Sequence, residues 1–255
     1  MVPLQPQYFG ISSKAHKMNL IVDSGNTLAK AAIFSSDEIM AFGKSSNKNW
    51  EFIFEMLGDT TPERVLISDV ASSSESLRER LEKITRVIVM NEHTPVPVEV
   101  TYSTPETLGT DRLAAVVFGK KLFPENHVLV IQTGSCITYD FLTPSNQYIG
   151  GAISPGMEMR FRAMHTFTAK LPLVKKTEIN YLTGKSTEES VLSGVINGCI
   201  AELDGIIDRY KEKYPDLKVV AGGGDIFFFD KKLKNRIFAT ENLVLRGLNE
   251  ILKYN

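Results

Sequence analysis

Short apolar runs separated by polar breaks recur along this chain, and their lengths sort them into strands and helices. Leu20 to Val22 is a buried-strand run closed by Asp23, and Leu28 to Phe34 is a second apolar run. Gly25-Asn26 between them tolerates positive φ, so the spacing predicts a hairpin with Asp23 and Thr27 at its tip. Ile39 to Phe42 predicts a third strand. Trp50 to Met56 predicts an amphipathic helix stopped by Gly58. Arg64 to Ser68 reads as a strand, Ser74 to Lys83 as a helix with Leu77 and Leu81 on one face, and Arg86 to Met90 as a strand. The order is βββ-α-β-α-β. Three consecutive strands followed by alternation imply a mixed sheet, antiparallel at first and then parallel.

Val98 to Tyr102 is extended, Pro105 turns the chain, and Thr110 is placed to cap a helix with Leu113, Val116, Val117 and Leu122 on its apolar face. Pro124 to Asn126 reads as a linker. The opening pattern then returns: a strand at Val128 to Ile131, a turn at Gln132-Thr133-Gly134-Ser135-Cys136, and strands at Ile137 to Leu142 and Tyr148 to Ile153. Aligning Gly25 with Gly134 sets Asp23 against Gln132 and Asn26 against Ser135, which suggests a duplicated domain with two phosphate loops. Pro155-Gly156 opens a helix through Met164, and Thr166 to Tyr181 has no clear period. Ser186 to Glu189 is a capping box for a long helix carrying Ile196, Ile200, Leu203, Ile207 and Tyr210. Gly194 and Gly198 on that helix permit close backbone packing, within the chain or between chains. Lys218 to Ala221 is a strand, Gly222 to Asp225 a loop, Arg236 to Ala239 a strand, and Glu241 to Lys253 a closing helix.

Composition narrows the classes. The chain has 255 residues, enough for one or two domains with a sizeable core. A net charge of −1 argues against a broad nucleic-acid or anionic-membrane surface. Cys136 and Cys199 have no CxxC spacing and the four histidines are scattered, so neither a disulfide framework nor a zinc site is expected, as suits a reducing cytosol. Residues 1–17 hold no run of signal-peptide length and are expected to form a flexible extension outside the fold. No stretch of about 18 apolar residues is evident, so no membrane span is expected.

Two places carry candidate chemistry. At the hairpin tip, backbone N–H groups near Gly25 and Asn26, the Thr27 hydroxyl and the Lys30 ammonium suit phosphate oxygens, and Asp23 suits an accompanying Mg²⁺. An ordinary hairpin with a solvated Asp uses the same residues. Asp111, in the first turn of its helix, is either a dipole-stabilised cap or an acid that accepts a hydroxyl proton beside Arg112, whose planar fork suits an anion. Tyr102 either closes that pocket or is a plain strand aromatic. Gly184-Lys185-Ser186 resembles the tail of a Walker A loop, but Ile179 stands where the first glycine is required, which leaves a helix cap. Gly222-Gly223-Gly224 lacks a further glycine at Phe227 and is not a dinucleotide fingerprint; it suits either a nucleotide base or ribose, or a plain turn. His165 reads as a packing residue, His93 as a solvated loop residue and Cys136 as structural.

Taken together, these segments resemble the type III pantothenate kinases of the acetate and sugar kinase/Hsc70/actin superfamily. The resemblance runs from Met18 to the C-terminus. It rests on Asp23-Ser24-Gly25-Asn26-Thr27, Gly109-Thr110-Asp111-Arg112, Gly134-Ser135 with Thr138, Gly150 to Gly156, Thr168 to Pro172, Gly184 to Thr187 and Gly222-Gly223. It implies an α/β fold of two duplicated RNase H-like (actin-like ATPase) domains around an ATP cleft. Each would have a mixed five-stranded sheet flanked by helices, over 18–125 and 126–255. It also implies a cytoplasmic homodimer that transfers the γ-phosphoryl group of ATP to pantothenate, the first step of coenzyme A synthesis, without nucleic-acid or membrane partners. Carried over by position, Asp111 would be the general base. Asp23, Ser24, Gly25, Asn26, Thr27, Leu28, Ala29, Lys30 and Ser135 would bind ATP, with Asp23 organising Mg²⁺. Tyr102, Gly109, Thr110, Asp111, Arg112 and Thr187 would contact pantothenate. The family usually has Asp where Gln132 stands, helping to bind a monovalent cation, K⁺ or NH₄⁺; an amide oxygen can ligate a cation but lacks the charge. Asp69, where relatives often carry Ser, is a lesser departure. A nucleotide-binding regulator of the same fold and a kinase for another small hydroxy acid are the alternatives.

Overall fold

The computed structural model describes residues 7–8, 18–25, 28–45, 49–69 and 74–255. They form two compact units, one of residues up to Phe118 together with Leu243–Asn255, the other Gly119–Asn242.

The first unit begins with β1 (Gln7–Tyr8), β2 (Met18–Ser24), β3 (Ala29–Ser35) and β4 (Glu38–Ser45). It continues through α1 (Glu51–Leu57), β5 (Arg64–Asp69), α2 (Glu75–Leu81), β6 (Arg86–Val89), the two-residue β7 (Glu99–Val100) and the start of α3 (Thr110–Leu122). The sheet order is β1-β4-β3-β2-β5-β6. β2, β3 and β4 are antiparallel, while β5 and β6 run parallel to β2. This is the mixed arrangement that three strands followed by alternation dictate. Along β2, Leu20, Ile21 and Val22 are all fully buried, because the sheet is covered on both faces. Leu20 and Val22 join Ile53, Met56, Leu77 and Leu81 in a core under α1 and α2. Residues one step out of phase point to the other face. There Asn19 Nδ2 donates to Asn249 Oδ1 at 3.1 Å on α7 (Leu243–Tyr254), the last helix of the chain.

The second unit holds β8 (Val128–Thr133), β9 (Cys136–Leu142), β10 (Gln147–Pro155), α4 (Met157–Thr166), α5 (Thr187–Lys213), β11 (Lys218–Gly222), α6 (Ile226–Phe229) and β12 (Phe238–Ala239). Its strands run β12-β11-β8-β9-β10. β8 pairs antiparallel with β9, and β9 with β10; β11 and β12 are parallel to β8. Order and directions repeat those of β6-β5-β2-β3-β4, so the chain is a duplication of one RNase H-like unit. α5 is long and apolar enough by length and composition to cross a membrane. The core helix of a soluble protein passes the same test, and Val195, Ile196, Cys199, Leu203 and Ile207 of this helix are buried in the unit's own core.

Three further expectations change. Of the extension at 1–17, Gln7 and Tyr8 are described, and they pair with Phe42 and Ala41 as an edge strand; the other fifteen positions lie outside the described residues. The division differs from 18–125 and 126–255, because α7 packs on β2, β3 and β5 of the first unit. A Cβ at Gly247 would stand 1.8 Å from the Ala114 carbonyl oxygen, so α7 meets α3 backbone to backbone. Finally, Gly194 and Gly198 face open space rather than a close neighbour within the chain.

Candidate active site

The first loop grows from the end of β2. Gly25 N–H donates to Leu28 O at 3.1 Å and closes the hairpin; Asn26 and Thr27, expected to bind phosphate, lie outside the described residues. Ser24 is fully buried and Leu28 exposed. Ala29 is fully buried in the core. Register sets Asp23 between Lys30 on β3 and Ser68 on β5. Asp23 keeps a partial opening to solvent, yet the protein around its carboxyl desolvates it and raises its pKa to about 6. The Lys30 ammonium works against that shift, and the negative charge of Asp111 adds to it.

Strand register and a hydroxyl bond set the start of the helix that carries Asp111 beside Asp23, within the first unit. Helix α3 delivers Asp111. Ser68 and Thr110 share a hydroxyl–hydroxyl hydrogen bond of 2.8 Å, which ties the helix start to the strand end beside Asp23. Gly109 O accepts the amides of Arg112 and Leu113 at 3.1 and 3.2 Å, and Asp111 Oδ1 accepts Arg112 N–H at 2.9 Å. A Cβ on Gly109 would lie 2.5 Å from Asp111 Oδ1, so glycine leaves the room that the carboxylate occupies. Arg112 is only 6% exposed, and its guanidinium carbon lies 5.8 Å from the centroid of the Tyr102 ring, within cation–π range. Tyr102, Gly109, Thr110, Asp111 and Arg112 therefore meet around the start of α3. Asp69, which the sequence left unexplained, accepts Ser74 N–H at 2.6 Å ahead of α2.

Gln132, Ser135 and Thr187 belong to the second unit. Its loop is built by glycines. Gly156 N–H donates to Ser135 O at 3.0 Å, and a Cβ on Gly156 would meet Gly134 O at 2.0 Å. Gly223 has φ +103° and would place a Cβ 2.2 Å from Thr133 O. Asp225 N–H donates to Thr133 O at 3.2 Å, and its carboxylate pairs with Lys176 at 2.5 Å. The Gly222–Gly224 turn thus presses on the loop through backbone alone. Ser135 is exposed on that loop, and Thr187 is exposed at the start of α5. Ser186 caps this helix by accepting Glu189 N–H at 3.1 Å, while Glu189 Oε2 takes Lys185 N–H at 2.6 Å, so Gly184-Lys185-Ser186 is a helix cap. A pocket of about 400 Å³ lined by Phe141, Ile149, Arg209, Tyr210, Lys213 and their neighbours shares no residue with this loop.

The donor chemistry tests the implied ions. Among the described residues no group of three or more His, Cys, Asp or Glu could hold a metal. No resident metal cage is built among the described residues. A lone carboxylate such as Asp23 fits the way Mg²⁺ is commonly held, by one or two carboxylates together with substrate phosphates. For a monovalent cation, register pairs Gln132 with Thr138, whose buried Oγ1 has no hydrogen-bond partner. Both side-chain oxygens there are neutral. Sequence reasoning gave Ser68 and Asp225 no part in the site, because strand register and backbone approach bring them to the loops and neither is written in local pattern.

Comparison with known proteins gives three findings. The family model described as type III pantothenate kinase matches residues 19–209. A type III pantothenate kinase of Phocaeicola vulgatus is 45% identical over 239 residues, covering 93% of this chain and 99% of the relative. Among solved structures, a Campylobacter jejuni protein described as a Baf family transcriptional activator superposes with a TM-score of 0.57 at 20% identity, covering 92% of this chain and 98% of that one. A Listeria monocytogenes protein described as an N-acetylmannosamine kinase superposes with a TM-score of 0.52 at 14% identity, covering 93% and 99%; these two likenesses speak to the fold alone.

Proposed function

The chain belongs to the type III pantothenate kinase family and phosphorylates pantothenate with ATP in coenzyme A biosynthesis, and on that premise we propose that Asp111 is its general base. Asp111 accepts the proton of the primary hydroxyl as that oxygen bonds to the γ-phosphorus, and the bond to the bridging oxygen of ADP breaks. The observation that carries this reading is the 2.8 Å hydroxyl bond between Thr110 and Ser68, which stands opposite Asp23 in the strand register, with the buried Arg112 one residue from Asp111. Arg112, stacked near Tyr102, holds the carboxylate of pantothenate, and Gly109, Thr110 and Thr187 complete its contacts. Asp23, Lys30 and the backbone of 24–29 bind the phosphates, with Asn26 and Thr27 contributing by position, and Ser135 contacts ATP from the second loop. Asp23 would hold the Mg²⁺ that accompanies ATP, and that ion would supply charge neutralisation for the transferring group. Gln132 and Thr138 would be the donors for K⁺ or NH₄⁺, and as neutral oxygens they would hold the ion without the charge of a carboxylate.

The enzyme is a cytoplasmic homodimer that acts on ATP and pantothenate, with no nucleic-acid or membrane partner. Support for the dimer comes from the second unit, where Ile153, Phe167 and Leu182 are 60%, 85% and 79% exposed and Gly194 and Gly198 leave open space on α5. Support for the cytoplasm comes from the buried apolar face of α5 and a net charge of −1. The test is ADP release with ATP, Mg²⁺ and a panel of hydroxy acids, in buffers containing K⁺, NH₄⁺ or only Na⁺. Pantothenate should be the preferred acceptor, with weak, millimolar-type dependence on K⁺ or NH₄⁺. A saturating K⁺ effect at micromolar concentration would contradict the neutral site, and preference for another acid would contradict the assigned contacts.

A further inference from the structure

Glu202 lies in the middle of α5 and takes three donors from three different elements. Tyr139 OH of β9 donates to its Oε1 at 2.9 Å, Ser154 Oγ of β10 donates to the same oxygen at 2.6 Å, and Arg160 of α4 donates through Nη2 to Oε2. Arg160 also donates from Nη2 to Ser154 Oγ at 3.0 Å and from Nε to the Pro155 carbonyl oxygen at 2.8 Å. The fork of one guanidinium thus spans Glu202, Ser154 and Pro155, a geometry that a lysine cannot reproduce. Both side chains of the ion pair are about three-quarters buried, at 22% and 24% exposure. Burial works to raise the Glu202 pKa, but the bonds from Arg160, Ser154 and Tyr139 hold it below the ordinary value, so the clamp is ionised at neutral pH.

What the clamp fixes is the turn that follows. Ser154 and Pro155 lie opposite Ile137 and Cys136 in the β9–β10 ladder. The next residue is Gly156, whose N–H grips Ser135 O and whose Cα faces the Gly134 carbonyl too closely for any side chain. A chain of contacts therefore runs from α5 through Glu202 and Arg160 to Pro155, and through Gly156 to the exposed Gly134–Ser135 loop. We propose that Glu202, acting through Arg160, is a positioning residue that sets the shape of the second phosphate loop and so the affinity for ATP. A displacement of this backbone by about 1 Å is enough to cost a large factor in a phosphoryl-transfer site.

The inference rests on the reading of Gly134–Ser135 as an ATP-contacting loop, so the experiment carries a control for that reading. KM for ATP, KM for pantothenate, kcat and melting temperature are measured for Glu202→Gln, Arg160→Lys, Ser154→Ala and Ser135→Ala. Glu202→Gln and Arg160→Lys should raise KM for ATP roughly tenfold or more, with KM for pantothenate within about twofold of wild type. Arg160→Lys keeps a charge beside Glu202, and Ser154→Ala removes only one hydroxyl; the two keep the test alive if Glu202→Gln fails to fold. If Ser135→Ala raises KM for ATP while the Glu202, Arg160 and Ser154 variants leave it unchanged, the loop reading stands and the clamp inference is overturned. If Ser135→Ala itself has no effect, the loop reading fails and takes the inference with it. Equal changes in both KM values, tracking a lower melting temperature, reduce Glu202 to a structural residue and also overturn it.

Discussion

Asp23 carries an electrostatic strain that can be measured without any substrate. Its carboxyl is desolvated and sits in the field of Asp111, and its pKa rises from 3.8 to about 6. The folded state therefore binds this proton more tightly than the unfolded chain does. The group's contribution to stability is most favourable below pH 4, falls as pH rises toward 6, and stays at its lowest above that. Asp23→Asn removes the deficit. In ligand-free protein it should be more stable than wild type by about 2–3 kcal/mol at pH 7–8, with the difference fading below pH 4. Chemical denaturation across pH checks this; a variant less stable at pH 8 would contradict the assigned burial. Gly109 gives a second prediction. In Gly109→Ala the new methyl would meet Asp111 Oδ1 at 2.5 Å and swing the carboxylate away. Steady-state kinetics should show kcat falling by ~10²-fold with KM for ATP little changed. The identities of Asp23, Asp111 and Arg112 as candidates were legible in the sequence, because each closes a strand or opens a helix. Ser68 was not, since only the parallel register of β5 beside β2 brings it to Asp23 and Thr110.

At the scale of elements, hydrophobic period read well wherever one face was buried. The βββ-α-β-α-β order of the first half and its echo in the second came from run lengths and turn residues. The irregular stretch after α4 had no period, and it forms no regular element in the structure between Thr166 and Thr187. What the pattern did not contain is how closely loops touch. Gly223 is the clearest case: its φ of +103° and its 2.2 Å Cβ approach to Thr133 O require glycine twice over. Gly223→Ala should destabilise the protein by roughly 1–3 kcal/mol and push the Gly-rich turn off the second loop. Thermal melting and nucleotide titration would register this as a lower melting temperature and weaker ATP binding. Wild-type values in both would show that the turn tolerates a side chain.

At the scale of the whole chain, the duplication was visible in the recurrence of strand, glycine turn and strand at 20–34 and 128–142. The path of the C-terminus was not. The sequence assigned Glu241 to Lys253 to the second half by simple adjacency, whereas α7 covers the first sheet and joins Asn249 to Asn19 and to Ser36 O. Non-local packing of this kind leaves no mark on periodicity, because an amphipathic helix looks the same whichever sheet it covers. Truncation after Asn242 should therefore unfold the first unit rather than trim the second. Buried Ile21 and Leu66 lie on the face of the sheet that would lose its cover, and Asn19 would lose its partner. Amide hydrogen exchange on the truncated chain should find β2, β3 and β5 unprotected; retained protection there would contradict the assignment of α7.

The most direct test of the central claim, that Asp111 removes the proton from the acceptor hydroxyl beside the Asp23 phosphate site, compares wild type with Asp111→Asn. Pantothenate-dependent ADP release is followed at saturating ATP and Mg²⁺, with nucleotide binding measured in parallel. Wild type should turn over, and Asp111→Asn should lose at least ~10²-fold in kcat while binding ATP normally. Undiminished turnover by the variant, or no pantothenate-dependent ADP from wild type, would contradict the account.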